Sequence, residues 1–508
     1  MRNGKWLLHF LDTRPLFVAL LSLFLLASTA RADGVDSYIT KEMIDQHIPG
    51  LSLCVVRDAH IVKSQTYGLA NVELNIPATS ETEFAIASMT KSVTASAIML
   101  LVQDGKVSLD DPISKYFDGL PQSWQPITVR HLLTHTSGIK DHFHDYPFFP
   151  IANLDRKLEY TDEEYLKALI DGGLNFQPGA QWAYSGTGFT LLGMIIKKVT
   201  GRPYADFLRE RIFKPLGMAN THVISLADII PNRAAGYRWR NGALNNGSYT
   251  GQTMSGGADV SLITTASDLG KWHIALSSEG LWKKSSLEQM WKPALLSNGQ
   301  EAVPFPQGAS GLGWALGIYK GYRLIGHGGT FITGFTSFMD RIPDKRLTVI
   351  VLTNQYDASP SRIAFGVAGF YDADLLAPHR MKAPPTGTAQ NENAQPELTN
   401  KVTAFITALF SGGFSGGLSK GVAGDPIQFV TPGLRNHLPP IPKMPAGEKP
   451  LVTDVTFIAA EDISKRGIER YGARLAQMSH YKAKFEGDPV YLTFYFTADG
   501  QIAEYSGY

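Results

Sequence analysis

Between Phe84 and Val102, apolar residues at Val93, Ala97, Leu100 and Leu101 recur at the three-and-four spacing of a buried helical face, and Gly105 follows as a stop. The pattern predicts a helix with Ser88 and Lys91 near its start. Upstream, Val35 to His47 has the spacing of an amphipathic helix, and Leu51 to Arg57 with Ile61 to Tyr67 predicts a hairpin turned at Asp58-Ala59-His60. Leu191 to Val199 predicts a further helix, stopped by Gly201, which puts Tyr184 on a turn just before it. From Tyr322 the period returns to strands: Tyr322 to Ile325, Gly334 to Asp340, a turn at Pro343-Asp344-Lys345, and Leu347 to Thr353, closed by a helix over Ser361 to Leu376. Strands thus open and close this region while helices fill its middle. That order predicts an α+β fold in which an antiparallel sheet is completed by distant parts of the chain and a helical subdomain is inserted between them.

Past residue 378 the pattern breaks. Residues 379–397 are rich in Pro, Ala, Thr, Gln and Asn and read as a linker. Residues 398–508 then supply one helical run, Leu398 to Phe410, and alternating segments at Val452 to Ile458, Glu469 to Phe485 and Val490 to Phe496, with a turn at Asp499-Gly500. A small α+β domain is expected there, with no constellation of chemical groups. Residues 33–378 form the first domain in this reading. At the other end, Arg2, Lys5 and Arg14 precede the apolar run Leu16 to Leu26, and Ala30-Arg31-Ala32 offers small residues at a cleavage site, so residues 1–32 read as a signal peptide for export to a periplasmic or extracellular space. The apolar core is shorter than the roughly 20 residues that span a bilayer, so no stable membrane anchor is expected.

Composition narrows the classes. With 44% hydrophobic and 18% charged residues in 508, the chain has the make-up of a globular protein with more than one core. The formal net charge is +1, and removing four basic residues (Arg2, Lys5, Arg14, Arg31) and one acid (Asp12) with the signal leaves −2, so nucleic acid is not an expected partner. The only cysteine, Cys54, lies in an apolar run, has no internal disulfide partner, and reads as packing.

Residues three apart on a helix lie close enough for the Ser88 hydroxyl and the Lys91 amine to meet. A serine hydroxyl becomes nucleophilic when a base takes its proton, and a lysine can act as that base if burial keeps it neutral. Two further Ser-x-x-Lys copies lack this geometry: Ser137-Gly-Ile-Lys140 sits in a glycine-containing loop, and in the strand-like Ser479-His-Tyr-Lys482 the pair points to opposite faces. Gly413-Phe-Ser-Gly-Gly417 has the spacing of a nucleophile elbow, but that motif needs a strand before it and a helix after it, and here a helical run precedes it. Asp141-His142-Phe-His144-Asp145 reads as a solvated loop rather than a metal site. No metal and no cofactor are expected.

Three elements stand in order: Ser88-Met-Thr-Lys91, Tyr184-Ser-Gly186 preceded by Phe176-Gln-Pro-Gly179 and Trp182, and His327-Gly-Gly329 at a strand end. Over about residues 35 to 375 this order resembles the serine β-lactamase and penicillin-binding-protein superfamily, with the likeness nearest to class C β-lactamases, D-alanyl-D-alanine carboxypeptidases, D-aminopeptidases and family VIII esterases. The resemblance implies that Ser88 is acylated, that Lys91 is its proton partner, and that Tyr184 passes a proton to the leaving group. It implies an oxyanion hole from the backbone N–H groups of Ser88 and Thr330, with His327, Gly328 and Gly329 along the substrate. Two positions depart from the β-lactamase pattern: Gly186 stands where Asn is usual in the tyrosine element, and His327 where Lys is usual in the last. An unperturbed histidine is mostly neutral at pH 7.5 and anchors a carboxylate weakly, gaining strength as pH falls toward 6.5. The expected function is therefore that of a serine hydrolase cleaving a small ester or amide, with esters favoured over β-lactams; the alternatives are a D-amino-acid peptidase, carboxypeptidase or β-lactamase acting on cell-wall-related substrates, and a penicillin-binding sensor without turnover. Oligomeric state is left open.

Overall fold

The computed structural model describes residues 34–142, 154–155, 157–302, 308–377, 396–410, 429–431, 454–464, 469–470, 473–484 and 490–507. Residues 1–32, linker residues 379–395, His144, Asp145 and the Gly413–Gly417 motif lie outside the described residues, and the last two linker residues, Pro396 and Glu397, open a helix.

An eight-stranded antiparallel sheet is the frame. Its strands are β1 (Gly50–Arg57), β2 (His60–Asn71), β3 (Ile76–Pro77), β4 (Ala309–Ser310), β5 (Ala315–Tyr319), β6 (Tyr322–Phe331), β7 (Phe335–Ile342) and β8 (Leu347–Thr353), in the spatial order β3-β2-β1-β8-β7-β6-β5-β4. The two ends of the domain are joined by β1 against β8, where Leu51 pairs with Thr353 and Arg57 with Leu347. Alternation sorts β1 between two cores. Leu51, Leu53 and Val55 pack with Val35, Ile39 and the helix α5 (Pro360–Tyr371), while Cys54 and Val56 face the helical side. Burial pushes the Cys54 thiol up to about 12, so it is an inert packing group.

The helix α1 spans residues 34–45, and the β1–β2 turn carries Asp58 and Ala59 with positive φ. The Ser88 helix differs from expectation. Phe84–Ala85 is a short strand paired with Leu262–Thr264, Ala87–Met89 is a 3₁₀ turn, and only then does α2 (Thr90–Gln103) begin. Nor does α2 have one apolar face, because Thr90 to Leu101 are all buried between the sheet and the helical subdomain. Its polar residues are bonded instead: Ser92 Oγ donates to the Gly313 carbonyl at 2.8 Å and Thr94 Oγ1 to that of Ala258 at 2.6 Å. The helix α3 (Gly186–Thr200) is capped by the Ser185 hydroxyl and ends on Gly201 in the left-handed region. β6 runs to Phe331, so His327 lies within the strand, paired with Met339, rather than at its end. The helix predicted to Leu376 stops at Tyr371, followed by a 3₁₀ turn at Ala373–Leu375.

Beyond the linker, α6 (Pro396–Phe410) packs Val402, Phe405 and Ile406 on a four-stranded antiparallel sheet ordered β9 (Asp454–Asp462), β10 (Gln477–Lys484), β11 (Val490–Phe496), β12 (Ile502–Gly507). The last strand was not foreseen. This unit docks on the β5–β6 turn: Ile318 packs against Leu475, Met478 and Tyr495, the Tyr495 hydroxyl donates to the Ile318 carbonyl at 3.2 Å, and Lys320 Nζ lies 2.8 Å from His480 Nε2. In β10, Ser479 is buried and Lys482 exposed, on opposite faces. The docking is small beside the first domain's own cores. A chain ending at Asn391 is expected to fold, to keep its reaction with an active-serine probe, and to melt a few degrees lower, roughly 2–8 °C; loss of probe reaction in a well-folded truncation would contradict this.

Candidate active site

Ser88 follows Ala87, whose φ of 49° is a left-handed conformation that costs a non-glycine residue about 1–2 kcal/mol. Neighbouring bonds hold the turn: the Ile86 N–H donates to the Leu262 carbonyl at 2.9 Å, and Ser337 Oγ donates to the Ile86 carbonyl at 2.7 Å. The turn thereby presents Ser88 at the N-terminal end of α2, partly open to solvent.

Lys91 lies one turn on and is fully buried. Its Nζ donates to Ser88 Oγ at 3.3 Å and to the Asp259 carbonyl at 3.0 Å, lies 3.7 Å from Asp259 Oδ2, and sits 4.9 Å from the Tyr184 ring centre. The Tyr184 hydroxyl is hydrogen-bonded to both Lys91 and Ser88. Burial opposes the lysine's charge, but Tyr184 and Asp259 outweigh it and raise the ammonium above the ordinary lysine value. The expectation of a lysine kept neutral by an apolar helix is thus corrected, because the helix buries Lys91 against a carboxylate. Burial pushes the Tyr184 phenol up, against the pull of Lys91. Lysine and tyrosine therefore titrate as one coupled unit with Ser88 in contact with both.

His135 backs the tyrosine. Its ring stacks on Tyr184 with centroids 4.5 Å apart, and its Nδ1 accepts the Ser185 N–H at 3.1 Å. Burial and Lys91 push this imidazole well below its ordinary value, so it is neutral, with its proton on Nε2. The segment His131 to Gly138 gave no role to His135 in the sequence; its positive φ of 59° is visible only in the structure.

On the other wall, Gly329 closes on the serine turn. A Cβ built there would lie 2.2 Å from the Ile86 carbonyl oxygen and 3.0 Å from the Ser88 nitrogen, so only glycine permits the approach. Gly328 and Thr330 are exposed and His327 half-buried. His327 Nδ1 lies 2.6 Å from the Gly328 carbonyl and so carries the proton, leaving Nε2 an acceptor. Burial and Lys91 push its imidazole down to about 4, which removes the expected gain in cationic character near pH 6.5.

Behind Lys91 lies a group that the sequence reading passed over. Asp141 and His142 are buried, not solvated, and Asp259 is fully buried beside them. His142 Nε2 is 3.3 Å from Asp259 Oδ2, and Asp141 Oδ1 accepts the Gly186 N–H at 3.0 Å. Among the described residues no cluster of His, Cys, Asp and Glu could hold a metal ion, and no helix is long and apolar enough to cross a membrane.

A serine bonded to a buried lysine and a tyrosine, beside a glycine strand on this sheet, forms a candidate nucleophile site. The sequence profile of the Beta-lactamase family matches residues 35–365, and the chain belongs to that family. It is 31% identical over 310 residues to penicillin-binding protein 4* of Bacillus subtilis (strain 168), covering 58% of this chain and 66% of that protein, and 27% identical over 324 residues to protein flp of Staphylococcus aureus (strain MW2), covering 63% and 62%. The chain thus spans just under two thirds of the length of these curated relatives. Among solved structures, the octameric penicillin-binding protein homologue from Pyrococcus abyssi aligns over 92% of this chain and 97% of its own with a TM-score of 0.59 and 25% identity. The D-amino acid amidase from Ochrobactrum anthropi SV3, complexed with L-phenylalanine amide, aligns over 68% and 97% with a TM-score of 0.55 and 29% identity.

Gly329→Ala is expected to push β6 off the serine turn and lower kcat/KM by about 10²-fold or more, with melting little changed. Activity within threefold of the parent would show that the strand tolerates the shift.

Proposed function

We propose that the protein is an exported hydrolase that cleaves small esters and amides through an acyl-enzyme on Ser88. The observation that carries this is the meeting of Ser88 Oγ, Lys91 Nζ and the Tyr184 hydroxyl in one hydrogen-bonded group. Ser88 Oγ attacks the carbonyl carbon, its proton passes to the Lys91–Tyr184 pair, and Tyr184 returns that proton to the leaving oxygen or nitrogen. Water then attacks the acyl carbon while the pair takes its proton, and the pair passes that proton to Ser88 Oγ as the bond between Oγ and the acyl carbon breaks and the acid leaves. The Ser88 and Thr330 backbone N–H groups serve as the oxyanion hole, where one donor is typically worth about 10² to 10³ in rate. Export rests on the pattern of residues 1–32.

Ester preference over β-lactams rests on Gly186 and His327. Neither supplies a charged donor for a carboxylate, and losing such a bond costs about 1.5–3 kcal/mol, roughly 10- to 150-fold in discrimination. A second reading is favoured by the amidase likeness and by His327 Nε2 as an acceptor: the amino group of a D-amino-acid amide could donate to it.

Ser88→Ala is expected to abolish covalent labelling by a fluorophosphonate probe, while Ser415→Ala leaves it intact; mass spectrometry of the labelled peptide decides. For substrate choice, kcat/KM on a short-chain p-nitrophenyl ester should exceed that on nitrocefin. Because His327 stays neutral until pH nears 4, activity on carboxylate-bearing substrates should not rise between pH 8 and pH 6. A rise over that interval, lost in His327→Gln, would return the histidine to the role of cationic anchor.

A further inference from the structure

Gly186 opens α3 one residue after Ser185, and the space its side chain would fill is occupied. A Cβ there would lie 2.5 Å from Asp259 Oδ2, 3.1 Å from His142 Nε2 and 3.3 Å from Asp141 Oδ1. Three titratable groups from two loops converge on that point, and one of them continues to the ammonium of Lys91. Asp259 gives Lys91 its backbone carbonyl at 3.0 Å and its carboxylate at 3.7 Å. Its Oδ1 accepts from Thr190 Oγ1 at 3.3 Å. The Tyr165 hydroxyl is hydrogen-bonded to His142 Nδ1, and His142 Nε2 lies 3.3 Å from Asp259 Oδ2.

We propose that Asp259, braced by His142, occupies the place of the side chain absent at Gly186 and is the positioning residue that anchors Lys91 against Ser88 and Tyr184. This deepens the acyl-enzyme reading and rests on it. The two carboxyls shift in opposite directions. Burial works against the charge of Asp259, yet Lys91 and His142 hold it below the ordinary carboxylate range, whereas burial pushes Asp141 up. The groups facing Asp259 are Lys91 from α2, Tyr184 ahead of α3, Asp141 and His142 from the loop after Gly138, Tyr165 from the helix Asp162–Gly172, and Tyr204 from α4 (Tyr204–Leu208). A negative charge beside the Lys91–Tyr184 pair makes the pair release its shared proton at higher pH, whichever member loses it. Asp259 therefore both fixes the geometry of the base and sets the pH at which it works. Removing that charge moves the acid limb of the rate profile to lower pH and slows the reaction at its optimum.

The test is kcat and kcat/KM for p-nitrophenyl acetate from pH 5 to pH 10, with fluorophosphonate labelling, on the full chain. Asp259→Asn keeps the shape and removes the charge; it is expected to lower kcat by about 10- to 100-fold and to shift the acid limb down by about one pH unit or more. Gly186→Ala keeps the charge and drives the carboxylate from its seat, and is expected to move the limb in the same direction by less. It also carries the test if Asp259→Asn does not fold. An acid limb within about 0.3 of the parent's in the soluble variants overturns the proposal. Ser88→Ala separates the two readings: ester turnover surviving in that variant removes the acyl-enzyme, whereas turnover lost there with unshifted limbs in the Asp259 and Gly186 variants removes only the role given to Asp259.

Discussion

One buried ammonium organises the site. Lys91 stands in a helix with no exposed face over its first three turns, where an unpaired charge would cost several kcal/mol or give up its proton. The chain meets this with Ser88 Oγ, the Asp259 carbonyl, the Asp259 carboxylate and the Tyr184 hydroxyl, drawn from three separate segments. Satisfying the lysine therefore brings the reacting groups together. Removing one partner of such a buried pair typically costs about 3–5 kcal/mol, so stability and reactivity press on the same residues.

The sheet supplies the other constraint. β6 must pass close enough for Gly329 to touch the serine turn, and the turn must hold Ala87 in a left-handed conformation. Neither is favourable alone. The bonds from Leu262 and Ser337 to Ile86 tie the turn to a short strand on one side and to β7 on the other, so the conformation is imposed by two distant segments.

Much of the frame was legible because alternation and helical spacing are local. The β1–β2 hairpin, β7, β8 and α3 fall close to where apolar periods and the stops at Pro343 and Gly201 put them. Ser88, Lys91 and Tyr184 were legible as an ordered set, and the structure brings them into contact. Periodicity failed where burial is complete: α2 has no single apolar face because it is covered on every side, and Ser92 and Thr94 read as polar although they are core. Asp259 was invisible because an acidic residue in Ser255-Gly-Gly-Ala-Asp259 carries no local mark of burial; only the gap at Gly186 pointed toward it, and what fills a gap is a tertiary fact. Asp141 and His142 were misplaced for the same reason, since loops rich in His and Asp are usually wet.

The pairing of β1 with β8 also has a consequence in time. β1 ends at Arg57 and its partner β8 begins at Leu347, so the 289 residues from 58 to 346 must be made between a strand and its partner. At about 5–20 residues per second, β1 leaves the ribosome roughly 15–60 s before β8 exists to cover its open edge. During that interval only the hairpin with β2 is available, and a lone hairpin is marginal in water. The nascent chain thus carries an unpaired apolar edge through most of its synthesis, and it remains without its native frame until the last strand of the first domain has been made.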